Sequence, residues 1–416
     1  MNIQIKRKLI EIISISDQKF KNVILSLRLF KPLEKIENTK LALLSFLIKD
    51  RNEKYPTKKE IRKLKDNLYG ASFRTSLFGY GPLHTLELRL TAISETTVEE
   101  PLQLKQLQSL KDFLYYPLIT EETLKEAKTN LASKLYRQNE NPMNSSIKRS
   151  FQILGKDTDL GVSTQGELED IEDISLTDMV SFHKQLVEEA PMILFVIGSF
   201  KDSLIESINE EFADHQPLPT TAQYNVFSST EKLEVTETSL VNQATLVISY
   251  QTNRSIADEN YYALRLASLI LGQLPTSLLF QEVREKASLC YNISSSIVAF
   301  NGLMLITTSL DEKNVLRAID LITKQVQRLK GGDFEEALID GAKQLMLSNF
   351  DSIEDDEFSI LSFVSDARML NNPKKIDYLV SKYNEVTKEM IIEAVKDIEL
   401  VLTYTLKGNS DEAVNE

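Results

Sequence analysis

Two halves of this 416-residue chain carry the same succession of hydrophobic patterns, which constrains the fold more than any single motif does. In the first half, NVILSLRLF (22–30) is dense in branched apolar residues and predicts a strand. ENTKLALLSFLI predicts a helix, and TKKEIRKLKDNLYG a second one. In that second helix Thr57 and Glu60 have capping-box spacing, Ile61, Leu64 and Leu68 line one face, and Gly70 suits the C-terminal stop. ASFRTSLFGY and LHTLELRLTAI read as a strand pair, followed by the helical PLQLKQLQSLKDFL. The second half repeats the order. ATLVISYQT is a strand, and ADENYYALRLASLILG and TSLLFQEVREKA are helices. SLCYNISSSIVAF and GLMLITTSL are a strand pair. VLRAIDLITKQVQRLKGG is a helix with Val315, Ile319, Ile322, Val326 and Leu329 on one face.

Individual positions carry the repeat at a nearly constant offset. Ser26 falls against Ser249, Ala71-Ser72 against Ala287-Ser288, and Thr177 against Thr387. Two prolines and small polar residues in DHQPLPTTAQY break both periodicities. The expected organisation is therefore an N-terminal domain at 1–213, a linker at 214–224 and a C-terminal domain at 225–416. Strands come in hairpins with helices between the groups, and strict βαβ alternation is absent. The expected fold is α+β: two homologous domains, each a mainly antiparallel sheet covered on one face by helices.

Composition narrows the function. Apolar residues at 42% fill a globular core, and a formal net charge of −13 repels phosphate, so nucleic acid is not an expected partner. Cys290 is the single cysteine, which forbids an intrachain disulfide and fits a reducing compartment. The N-terminal MNIQIKRKLIEIISIS has basic residues before an apolar run, but Glu11 interrupts it and no small-residue cleavage site follows. KLIEIISIS reads as a strand, and no apolar stretch is long enough to span a bilayer, so a cytoplasmic protein without membrane contact is expected.

Reactive groups are scarce. Neither a nucleophile elbow nor a phosphate loop is present; GVSTQG has the wrong spacing. The histidines, His84, His183 and His215, share no helix-face spacing, so they form no zinc cage. Cys290 lies in an apolar strand pattern and reads as a buried, inert thiol. Acidic runs such as SIEDDEF and ELEDIED read as solvated faces.

Three stretches carry a resemblance. SLLFQEVREKASLCYNISSS contains Leu279-Phe280, Arg284-Glu285-Lys286 and Leu289-Cys290-Tyr291. LGVSTQGELEDIEDISLTDMVSFHKQLV precedes the first half's last strand, and NEKYPTKKEIRKLKDNLYGASF contains the Tyr55-Pro56 pair. In order and spacing they resemble the pitrilysin/insulinase-type metallopeptidases from about residue 8 to 408. Active members carry His-x-x-Glu-His just before the Tyr-Pro; two histidines hold zinc and the glutamate activates water. Here the histidine positions fall on Ala42 and Phe46 and the glutamate position on Ser45, while the third ligand position falls at Lys134. A methyl group and a phenyl ring offer zinc no lone pair, and an ammonium repels it. No metal or other cofactor is therefore expected on this chain.

The second-domain pair persists as Arg284 and Tyr291. The resemblance implies that the arginine donates to a substrate carbonyl and the tyrosine stabilises an oxyanion. Read from spacing alone, Arg284 could equally pair with Glu282 or Glu285, and Tyr291 could belong to the core. By resemblance to heterodimeric members such as the mitochondrial processing peptidase, the chain is expected to be a non-catalytic subunit. It would enclose an extended peptide and supply Arg284 and Tyr291 to the zinc site of a homologous, motif-bearing partner. The alternatives are a metal-free scaffold with no role in catalysis, and a self-sufficient hydrolase with an unrecognised site.

Overall fold

The structure is a computed structural model that describes residues 4–7, 10–156, 158–212, 220–371 and 375–408. The first repeat runs β1 (Gln4–Arg7), β2 (Glu11–Ser16), β3 (Asn22–Pro32), α1 (Lys35–Asp50), α2 (Lys58–Asn67), β4 (Ser72–Tyr80) and β5 (Leu83–Ile93). It continues through α3 (Gln103–Tyr115), α4 (Glu121–Glu140), α5 (Pro142–Leu154), α6 (Leu176–Glu189), β6 (Met192–Gly198) and α7 (Ser203–Glu211). The second runs β7 (Leu233–Ser239), β8 (Ala244–Gln251), α8 (Tyr261–Gly272), a π-helix at Phe280–Lys286, β9 (Cys290–Val298) and β10 (Leu303–Leu310). It ends with α9 (Val315–Lys330), α10 (Glu336–Asp351), α11 (Glu357–Met369), α12 (Ile376–Glu385), α13 (Lys388–Val395) and β11 (Glu399–Gly408).

The sheets have one topology. The first is ordered β1-β2-β6-β3-β5-β4 and the second β7-β11-β8-β10-β9. Each has one parallel pair, β2 with β6 and β7 with β11; every other pairing is antiparallel. Removing β1 makes the orders superimpose, with α1 matching α8 and α2 matching the π-helix. The chain is thus the expected duplicated α+β fold. Ser26 and Ser249 sit fully buried in matching central strands. The Thr177–Thr387 register is corrected: the caps of the last helices are Ser175 and Thr387, each accepting from the N–H three residues on. Cap chemistry, rather than residue identity inside the helix, marks the equivalent positions.

Local signals explain the first repeat. The α2 capping box forms as expected, with Glu60 N–H donating to Thr57 Oγ1 at 3.2 Å and Thr57 N–H donating to Glu60 Oε2 at 3.0 Å. Tyr69 and Gly70 close the helix in the left-handed region, at φ 57° and 80°. Thr57→Ala is expected to cost about 1 kcal/mol, with the loss of amide-exchange protection concentrated in the first turn of α2. Helix α1 is buried on nearly every side, through Leu41, Ala42, Leu43, Leu44, Leu47 and Ile48, because β4 and β5 meet one flank and α3 and α6 others.

Two compact units emerge, and neither is a continuous stretch. One comprises 1–136, 163–222 and 353–373; the other 137–162, 223–352 and 374–416. A single cut at 214–224 orders the repeats along the chain, while α5 belongs with the second sheet and α11 with the first. Most helices of the first unit cover one face of its sheet, and α11 lies on the other, where it contacts β6 and the side chains of β2 and β4. In the second unit, α5 brings Ile147, Ile153 and Leu154 against Val247, Leu402 and Tyr404. Residues 213–219, including His215 and most of the expected linker, lie outside the described residues.

Candidate functional site

Helix α1, on which the resemblance places the metal motif, is a regular helix, and the side chains at the motif positions are Ala42, Ser45 and Phe46. Ala42 is buried, Ser45 Oγ donates to the Ala42 carbonyl at 2.7 Å, and Phe46 packs against the core. Thr75 of β4 donates to the Ser45 carbonyl at 2.7 Å, fixing α1 to the edge strand. Lys134 of α4 donates to Gln165 Oε1 at 2.6 Å. Around Phe46, α4 presents Thr123, Glu126, Ala127 and Asn130, and Lys134 follows Asn130 by one turn. Glu126 is held by Arg51 at 3.0 Å and Lys58 at 2.6 Å, which lower its pKa. Lys49, one turn beyond Ser45, places its ammonium 4.6 Å from the Phe46 ring centroid. Its pKa is lowered by burial and then by the charge of Lys134, with Asp50 opposing. Among the described residues, no group of three or more His, Cys, Asp or Glu could hold a metal ion.

The second repeat is built differently at the matching place. Where α2 is a regular α-helix, residues Phe280–Lys286 form a π-helix, a form found mostly as short insertions and often at functional sites. Ser288 follows in the left-handed region at φ 50°. Strand β9 then pairs Cys290 with Leu310 and Asn292 with Ser309, leaving Tyr291 as the extra residue of a β-bulge. The β4–β5 ladder, its counterpart, runs from Ser72 to Tyr80 without a shift. Alternation from Ile293 would turn Tyr291 toward the covered face. The bulge instead releases it to solvent, where it is 85% exposed. Helix α8 braces the strand so closely that a Cβ on Gly272 would meet the Ser295 nitrogen at 2.7 Å. Arg284 Cζ lies 4.3 Å from the Phe280 ring centroid, and Nε lies 3.7 Å from Glu285 Oε1, with the side chain 40% exposed. Glu282 is engaged instead by Lys286 and Arg328.

The family model "Peptidase M16 inactive domain" matches residues 173–346. Over 403 residues the chain is 27% identical to a Bacillus subtilis protein named "Probable inactive metalloprotease YmfF", covering 95% of each. The fold superposes on that of a conserved protein from Enterococcus faecalis with a TM-score of 0.92, at 23% identity and 99% coverage of both chains. It superposes on an M16 inactive-domain structure from Pseudomonas fluorescens with a TM-score of 0.81, at 16% identity and coverage of 98% and 99%. The chain is thus similar to M16 peptidases described as inactive, over nearly all of its length.

Among the described residues, His84 and His183 each have a structural partner. His84 Nδ1 lies 2.9 Å from Asn38 Oδ1, and His183 Nε2 donates to the Leu114 carbonyl at 2.7 Å. Burial lowers both imidazole pKa values. Cys290 is half-buried rather than buried, and its burial raises the thiol pKa, partly offset by Thr308 and by the Arg284 charge, which favours the protonated form. The bulge and the π-helix escape a reading by periodicity. Their trace in the sequence is a length difference: Ser72 begins β4 directly after Ala71, whereas Ser288 and Leu289 intervene between Ala287 and β9.

Proposed function

We propose that the chain is the non-catalytic subunit of a heterodimeric zinc metallopeptidase. With a homologous, zinc-bearing partner it encloses an extended peptide, and it supplies Arg284 and Tyr291 to that partner's site. The observation that carries this reading is the concentration of π-helix, left-handed Ser288 and bulged Tyr291 within residues 280–291, against a regular counterpart in the first repeat. Backbone strain of this kind is retained where a side chain must be aimed. The partner's zinc polarises the scissile carbonyl and its water. The Arg284 fork donates to a substrate carbonyl, and the Tyr291 hydroxyl donates to the oxyanion. The edge position of β9 in its sheet suits addition of an extended strand, in which main-chain hydrogen bonds give affinity with little sequence demand. The net charge of −13 favours basic peptides. We place the subunit in the cytoplasm, from its single cysteine and because, among the described residues, no helix is long and apolar enough to cross a membrane.

The test is co-expression with a motif-bearing relative and assay of peptide cleavage. The pair is expected to be active, and this chain alone to bind no stoichiometric zinc. Arg284→Ala or Tyr291→Phe is expected to lower turnover by about 10²-fold without dissociating the pair. Unchanged turnover would favour the second reading, a scaffold without catalytic part, in which Phe280 and Glu285 simply seat Arg284.

A further inference from the structure

Beside the emptied motif, α1, α2, α4 and β4 enclose a cavity of about 250 Å³. Its apolar wall is Phe46, Phe73 and Ala127, and its polar groups include the Asn130 amide and the ammonium groups of Lys49 and Lys65. The carboxylates that also reach it are engaged elsewhere. Asp50 pairs with Arg51 at 2.6 Å, and Glu126 is shared by Arg51 and Lys58. Among the described residues, neither Lys49 nor Lys65 has a carboxylate within ion-pair distance; Lys49 lies over the Phe46 ring, with the Asp50 charge acting on it from further away. A pocket with two half-buried cations outside close ion pairs, against two phenyl rings, has the chemistry of a site for an apolar group bearing one negative charge.

We propose that this pocket binds the C-terminal residue of an extended peptide, its carboxylate between Lys49 and Lys65 and its apolar side chain against Phe46 and Phe73. The charge argues for a chain end rather than an internal residue, whose main chain carries no carboxylate. Phe73 belongs to β4, the edge strand of the first sheet, so the pocket adjoins the edge along which an extended peptide would add. The negative charge of a bound carboxylate would act against the Lys134 repulsion on Lys49, in the same direction as Asp50. The peptide part of this inference rests on the function proposed above.

The experiment uses the full chain and an N-terminally labelled, alanine-rich pentapeptide ending in phenylalanine, as the free acid and as the C-terminal amide, with binding read by fluorescence anisotropy. The acid is expected to bind about 10- to 100-fold more tightly than the amide. Lys49→Met should erase that preference and leave amide binding unchanged; Lys65→Gln should reduce it and serves if the first variant misfolds. Competition by N-acetylphenylalanine would mark a site for any small apolar carboxylate, and absence of competition would mark one for a chain end. Equal binding of acid and amide, binding of neither, or an acid preference that survives both substitutions would overturn the proposal. Turnover of the pair with Arg284 or Tyr291 altered does not pass through this pocket, so the two readings fail separately.

Discussion

Glu11→Ala is expected to destabilise the first unit by about 3–5 kcal/mol, the cost of stranding a buried charge. Glu11 of β2 is 5% exposed, and its carboxylate receives the Arg368 guanidinium in a two-pronged contact, with Nη2 to Oε2 at 2.7 Å. Arg368 also donates to the Thr220 carbonyl at 3.0 Å, which is too little to compensate a full charge. The pair belongs to a polar layer between α11 and the sheet. In it Ser26 donates to Glu87 at 2.6 Å, Arg28 to Tyr80 at 3.1 Å, and Tyr80 to Asp366 at 3.1 Å. Burial, with Asp366 nearby, pushes the Tyr80 hydroxyl up to about 12, so it acts as a donor throughout the working pH range. The double substitution Glu11→Leu with Arg368→Met should recover most of the loss, since an apolar pair of similar volume carries no desolvation cost. The chain has no tryptophan, so far-ultraviolet dichroism in urea is the suitable readout. A loss below about 1 kcal/mol, the range of exposed pairs, would show that α11 is held by its apolar contacts instead.

Acidification from pH 6.5 toward 4 is expected to remove about 3 kcal/mol of stability through His84 alone. The residue is 1% exposed, and its imidazole is held down to about 4 from an ordinary 6.5. Burial is the main cause, Lys31 adds to it, and a backbone hydrogen bond at Thr164 partly opposes it. Asn38 Nδ2 donates to the Ser163 carbonyl at 3.0 Å, so Asn38 Oδ1 must accept, and His84 Nδ1 carries the proton. A second proton would have to enter on Nε2, inside the packed layer. The sign follows from the lowered value. Between pH 4 and 6.5 the unfolded chain binds more protons, so stability is complete above 6.5 and lost as pH falls. The half-buried His183, whose pKa burial also lowers, contributes in the same direction. Carboxylates with lowered values, such as Glu37 and Glu95, act at lower pH, below their ordinary 4.5. His84→Gln should therefore flatten the urea-midpoint profile chiefly between pH 5 and 6.5. A profile that coincides with that of the unaltered chain would exclude His84 as its source.

The sequence by itself determined the duplication, the order of elements and the side chains that stand at Ala42, Ser45 and Phe46. Each of these rests on interactions short in sequence. Alternating apolar residues specify β3 and β5, the Thr57–Glu60 box starts α2, and Ala42, Ser45 and Phe46 lack the lone pairs or carboxylate that zinc chemistry demands. Only the tertiary structure decided which sheet α5 and α11 join. Their partners are far away in the chain: Arg368 meets Glu11, and Ile153 meets Leu402. An amphipathic pattern states that a face will be buried, and not against what. The same holds for Tyr291. Its spacing from Arg284 was legible, but its exposure depended on a bulge, and a bulge arises when two strands settle their register together. The cationic pocket by Phe46 is likewise a meeting of Lys49, Lys65 and Phe73 from three elements. Local propensity writes the elements into the chain. Long-range packing chooses their neighbours, because burial energy depends on area and not on sequence separation.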